Sequence, residues 1–121
     1  MPKINAERLL DDLRRLSQFG AHNPGVVRPA FSEADIEARN WLRIQYTKAG
    51  LDASIDGMGN VLGRSKKSGS ALLIGSHSDS QPTGGWLDGA LGVIYGLEIV
   101  RTMAEDSVTQ DLAVDTVSWQ D

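Results

Sequence analysis

The chain has 121 residues, 40% hydrophobic and 23% charged, with 12 basic against 16 acidic side chains and a formal net charge of −4. One core is the natural count at this length, and without clustered lysine and arginine (Lys66-Lys67 is too short) nucleic-acid binding is excluded. The absence of cysteine excludes a disulfide framework and fits a reducing cytoplasm, the expected location; no apolar stretch approaches the ~20 residues of a membrane span, and the first residues lack a signal-peptide core.

Ile4, Leu9, Leu10, Leu13, Leu16 and Phe19 recur at helical spacing and stop at Gly20, predicting a packing helix whose arginines and aspartates form a solvated face. Two prolines and a glycine make residues 21–31 a loop. His22 reads there as exposed and inert; the alternative puts His22 or Arg28 at the rim of a cleft. Ser32-Glu33-Ala34-Asp35 opens a second helix like a capping box, with Asp35 where Glu or Gln is usual. Ile36, Ala38, Trp41, Leu42, Ile44 and Tyr46 give that helix an apolar surface up to Gly50, with Trp41 and Tyr46 as packing residues. Residues 51–56 and 60–64 predict a hairpin turned at Gly57-Met58-Gly59, and residues 65–70 are a polar connection.

The apolar run Ala71 to Ile74, ending at Gly75, has the pattern of a strand covered on both faces. A helix follows from about Gly89 to Glu105, and a last strand runs to Trp119 with Val114 and Val117 on opposite faces, as expected of an interior strand. The order of helix, helix, two strands, strand, helix, strand predicts an α/β fold with a mixed, partly parallel sheet.

Chemistry concentrates at the end of the strand that begins at Ala71. Side chains alternate along a strand, so His77 and Asp79 share a side while Ser76 and Ser78 face away. That arrangement argues against a contiguous Ser/His/Asp nucleophilic set. Ligands in such sheets lie just beyond the carboxyl ends of strands. Asp79 is suited to orient a metal-ligating imidazole through its second nitrogen, or to act on water beside a metal. After Gly84-Gly85, Asp88 either caps the next helix or holds a cation, and an aspartate can bridge two zinc ions. The bland reading, a structural histidine and an N-capping aspartate, remains open on spacing alone. A phosphate loop is excluded, since the glycines from 84 to 92 carry neither a Lys-Ser/Thr ending nor the Gly-x-Gly-x-x-Gly order.

The stretch Gly75-Ser-His-Ser-Asp-Ser-Gln-Pro-Thr-Gly-Gly-Trp-Leu-Asp-Gly-Ala-Leu-Gly-Val93 resembles the first metal-binding motif of di-zinc amidohydrolases of the N-carbamoyl-L-amino-acid hydrolase and allantoate amidohydrolase (hydantoinase/carbamoylase) family. Gly25 to Asp35 and Gly57 to Gly63 are similar to the same group, so the resemblance spans almost the whole chain. It implies the N-terminal part of a zinc-exopeptidase-like three-layer fold, with residues 1–121 forming part of the metal-binding catalytic domain and the lid and dimerisation domain absent. It implies His77 as a zinc ligand, Asp88 as the bridging ligand and Asp79 as the assisting catalytic carboxylate. In the family a Glu-Glu pair follows a strand like Leu112–Asp121, and the sequence ends before it.

The resemblance implies metal-dependent hydrolysis of a linear amide or ureido C–N bond, on a small N-carbamoyl or allantoate-type substrate, with two divalent ions. Zinc is expected; manganese and cobalt accept the same ligands. Two metals need about five protein groups, so the 121-residue chain is expected to be inactive by itself. The alternative is a noncatalytic remnant without a complete metal site. A homodimer is expected of the full-length protein. Self-association is expected of the chain, through an unpaired last strand with bare apolar surface around Val114, Val117 and Trp119.

Overall fold

A computed structural model describes all residues from Met1 to Asp121. The first helix, α1 (Ala6–Ser17), begins where the Asn5 side chain accepts the Arg8 amide, and it buries Leu13 and Leu16. Ile4 precedes it and is exposed, as is Leu10, so the buried stripe is narrower than the apolar spacing predicts. Residues 21–31 are more ordered than a plain loop. They contain a small antiparallel hairpin, β1 (Ala21–His22) and β2 (Gly25–Val26), turned at a cis Asn23–Pro24 bond.

Helix α2 (Glu33–Lys48) starts at Ser32, whose hydroxyl accepts the Asp35 amide at 3.2 Å. The reciprocal half of the capping box is displaced by one residue, because the Asp35 carboxylate accepts the Phe31 amide at 2.8 Å and pairs with Arg39. Ala38, Leu42 and Tyr46 are buried and Trp41 packs at the core edge, while Ile36 and Ile44 face outward.

The predicted hairpin forms as β3 (Asp52–Ile55) and β4 (Val61–Arg64), antiparallel with Asp52 opposite Arg64. Strand β5 (Leu72–His77), helix α3 (Ala90–Glu105) and strand β6 (Val114–Trp119) form a β-α-β unit with its two strands parallel. The sheet order is β3-β4-β6-β5, antiparallel except for the last pair, so the chain is α/β with a mixed sheet.

One face of this sheet takes all three helices. Val61 and Val114 join Leu16, Leu42, Tyr46, Ile94 and Leu97 in a single core. Gly92 and Gly96 let α3 lie close on the strands, since a Cβ at either would collide with Ser76 or Thr116. These residues therefore supply two of the three expected layers.

Two expectations are corrected. Strand β5 is not covered on both faces: it is an edge strand with nothing paired to its outer side, and Leu72 and Leu73 are 62% and 48% exposed. The last strand is interior, as its poor alternation predicts, and so offers no unpaired edge: it is hydrogen-bonded to β4 and β5, with Val114 and Val117 buried and only Trp119 half exposed. Its continuous burial reflects neighbours on both sides, which a run of apolar residues in β5 imitates without having them. One unpaired edge, with bare apolar surface, lies at Leu72 and Leu73 on β5; the other is β3.

Candidate metal centre

The parallel pairing of β5 with β6 sets His77 opposite Trp119, so the carboxyl ends of both strands open at one corner of the sheet. There the His77 side chain, 29% exposed, stands between two carboxylates. Its Nδ1 lies 3.2 Å from Asp79 Oδ1 and 3.2 Å from the Asp79 carbonyl oxygen. Its Nε2 lies 3.6 Å from Asp88 Oδ2. An imidazole held at Nδ1 by a carboxylate keeps its proton there and turns the Nε2 lone pair outward.

Asp88 is not a helix cap. The N-cap of α3 is Gly89, which makes no side-chain cap bond, and the Asp88 side chain is 85% exposed. Gly89 has φ of +69°, and a Cβ there would sit 2.5 Å from His77 Cε1 and the His77 carbonyl oxygen. Only a residue without a side chain lets the start of α3 close over the ring.

Ser76 and Ser78 point away from this corner, as alternation predicts. Ser76 lies against Gly92, and the Ser78 hydroxyl is buried against that of Ser118 at 2.9 Å. Asp121 was not foreseen as a donor: His77, Asp79 and Asp121 each offer a ligand atom, all within 4.8 Å of one another. The signal was present in the β-α-β order, which brings the residue just past the second parallel strand beside the end of the first. His22 sits apart in the exposed hairpin, lining a small cleft with Pro24 and Trp86. Arg28, the other rim candidate, is 1% exposed and lies beneath the loop. Burial pushes its pKa down, against the charges of Asp35 and Asp79.

The donors fit a divalent cation. An imidazole and the carboxylates of Asp88 and Asp121 are borderline-to-hard ligands of the kind zinc and manganese accept, Asp79 stands where it can orient the ring, and the backbone at Gly89 is shaped around the His77 side chain.

No family model matches the chain. It is 39% identical to an N-carbamoyl-L-amino-acid amidohydrolase of Rhizobium meliloti, over 97% of the chain and 29% of that protein. Its structure superposes on an amidase of the hydantoinase/carbamoylase family from Burkholderia phymatum with a TM-score of 0.99 and 63% identity, covering 100% of the chain and 30% of that structure. The chain belongs to the hydantoinase/carbamoylase family. A further relative, allantoate deiminase 1 of Glycine max, is 30% identical over 99% of the chain and 26% of its own length. The chain thus spans under a third of the length of these hydantoinase/carbamoylase relatives. No helix is long and apolar enough to cross a membrane.

Proposed function

We propose that the chain carries the first metal-binding portion of a di-zinc amidohydrolase that hydrolyses a linear amide or ureido C–N bond in a small N-carbamoyl or allantoate-type substrate. Residues 1–121 are on this reading the N-terminal part of the metal-binding domain of a cytoplasmic, homodimeric enzyme. The observation that carries the reading is the His77 ring, with Asp79 at one nitrogen and Asp88 at the other.

In this reading His77, through its Nε2 lone pair, and the exposed Asp88 carboxylate would hold the divalent ions. Asp79 holds the Nδ1 proton, which fixes the tautomer and makes Nε2 a stronger donor. Bound divalent ions supply Lewis-acid polarisation of the scissile carbonyl and acidification of water. The family resemblance and the allantoate deiminase and carbamoyl-amidohydrolase relatives support a ureido-type substrate.

By itself the 121-residue chain performs no turnover on this reading. No second histidine stands near His77, and the four groups at the corner, His77, Asp79, Asp88 and Asp121, fall short of the about five that two ions need. Isothermal titration with zinc and an assay for hydrolysis of N-carbamoyl amino acids test both clauses. Zinc binding is expected that His77→Ala or Asp88→Ala weakens at least tenfold, without product formation. Zinc binding unaffected by either change would overturn the ligand assignment, and turnover would overturn the inactivity.

A further inference from the structure

The buried guanidinium of Arg28 is not used by the ligand reading, and its bonds lead to the centre. Nη1 donates to the Leu16 carbonyl at 2.8 Å, in the last turn of α1, and to the Phe19 carbonyl at 2.7 Å, just past its end. Nε donates to the Ser78 carbonyl at 2.7 Å. The main chain of Arg28 holds the next residue but one: its amide donates to Ser80 Oγ at 2.9 Å, and its carbonyl accepts the Ser80 amide at 2.8 Å. Asp79 is the residue between these two fixed points. Two residues upstream, Val26 exchanges amide and carbonyl bonds with Gly84, at 2.9 and 3.0 Å, so residues 26–28 run as a strap along the loop that leads to Asp88.

We propose that Arg28 is a positioning residue for the candidate centre: its side chain, tied to the end of α1 and to the Ser78 carbonyl, fixes the turn that aims Asp79 at His77 Nδ1 and so turns Nε2 toward Asp88. The charge is met by three carbonyl oxygens, a use that suits a planar, permanently ionised fork and that a single ammonium reproduces only in part. The inference rests on the ligand reading above for its consequence in metal binding, and on the hydrogen bonds alone for its consequence in the ring.

The test uses the 15N-labelled 121-residue chain, metal-free, at about pH 8.5, two units above the ordinary imidazole value. Long-range imidazole correlation spectra report the tautomer of His77, with exposed His22 as internal reference. In the unsubstituted chain His77 is expected in the Nδ1–H form and His22 in the mixture of a free ring. Arg28→Met is expected to give His77 the mixture seen for His22 and to weaken zinc binding about tenfold, the lower end for lost outer-shell support. Arg28→Lys is expected to restore part of both. Ser32→Ala, which removes the cap of α2, should lower the melting temperature and leave the tautomer unchanged.

A folded Arg28→Met chain with its His77 tautomer unchanged would overturn the proposal. If Arg28→Met does not fold, an Arg28→Lys chain with unaltered tautomer and zinc affinity would overturn it. A free-ring mixture at His77 in the unsubstituted chain would do the same. A locked His77 that responds to Arg28 but binds no zinc would support the positioning role and refute the ligand reading.

Discussion

Gly89 couples backbone conformation to the centre more directly than any other residue. Its φ of +69° is strained for any residue with a side chain, and a methyl group there would press on the His77 ring. Gly89→Ala is therefore expected to cost about 1–3 kcal/mol of stability and to abolish zinc binding in chains that remain folded. Thermal melts paired with zinc titration calorimetry check this, and unchanged zinc affinity would contradict the contact. That His77, Asp79 and Asp88 gather at one corner was legible in the sequence, because two-residue alternation and a glycine-flanked aspartate are local patterns; their expected roles came from the family resemblance. Arg28 was not, since its role depends on carbonyls 9, 12 and 50 residues away. Composition treats an arginine in a proline-rich loop as exposed, and here three carbonyls make its burial tolerable.

At the scale of elements, α1 and α3 are joined by charge as well as by leucines. Glu98, fully buried on α3, accepts from Arg8 at 2.8 and 2.9 Å, from the Asn5 amide at 2.9 Å and from Thr102 at 3.1 Å; Arg101 pairs with Asp12. The helix periodicity was legible, and Asp11, Arg14 and Arg15 do form a solvated face, but that reading is corrected at Arg8 and Asp12. Its signal was an acid on the apolar stripe of α3, whose partner only the tertiary contact reveals. Burial works against the Glu98 carboxylate, yet the bonds from Arg8 and Asn5 hold its pKa below the ordinary value. A carboxyl depressed on folding contributes stability above its unfolded pKa, about 4.3, and loses it as pH falls through the folded value. Urea midpoints measured across the acid range should fall below about pH 4. Glu98→Gln should flatten that slope and cost about 2–3 kcal/mol at neutral pH. An unchanged slope would show that other carboxylates control acid unfolding.

For the whole molecule, the α/β class and the parallel β5–β6 pair were legible from element order, while the identity of the edge strand was not, because a short apolar run is the same in an edge as in a centre. The free side of β5, with Leu72 and Leu73 exposed, leaves a pairing edge of six residues. Sedimentation should show concentration-dependent association of the chain, and Leu72→Lys with Leu73→Lys should shift it toward monomer. A monomer at high concentration without these changes would refute edge pairing. The strap of residues 26–28 has one more implication, and it concerns timing. Its bonds to Ser78 and Ser80 close loops of 50 and 52 residues, and chain entropy makes such closures follow the local helices and hairpins. The corner that would grip metal is therefore assembled after the local helices and hairpins, so its geometry can be lost while most of the helical signal persists.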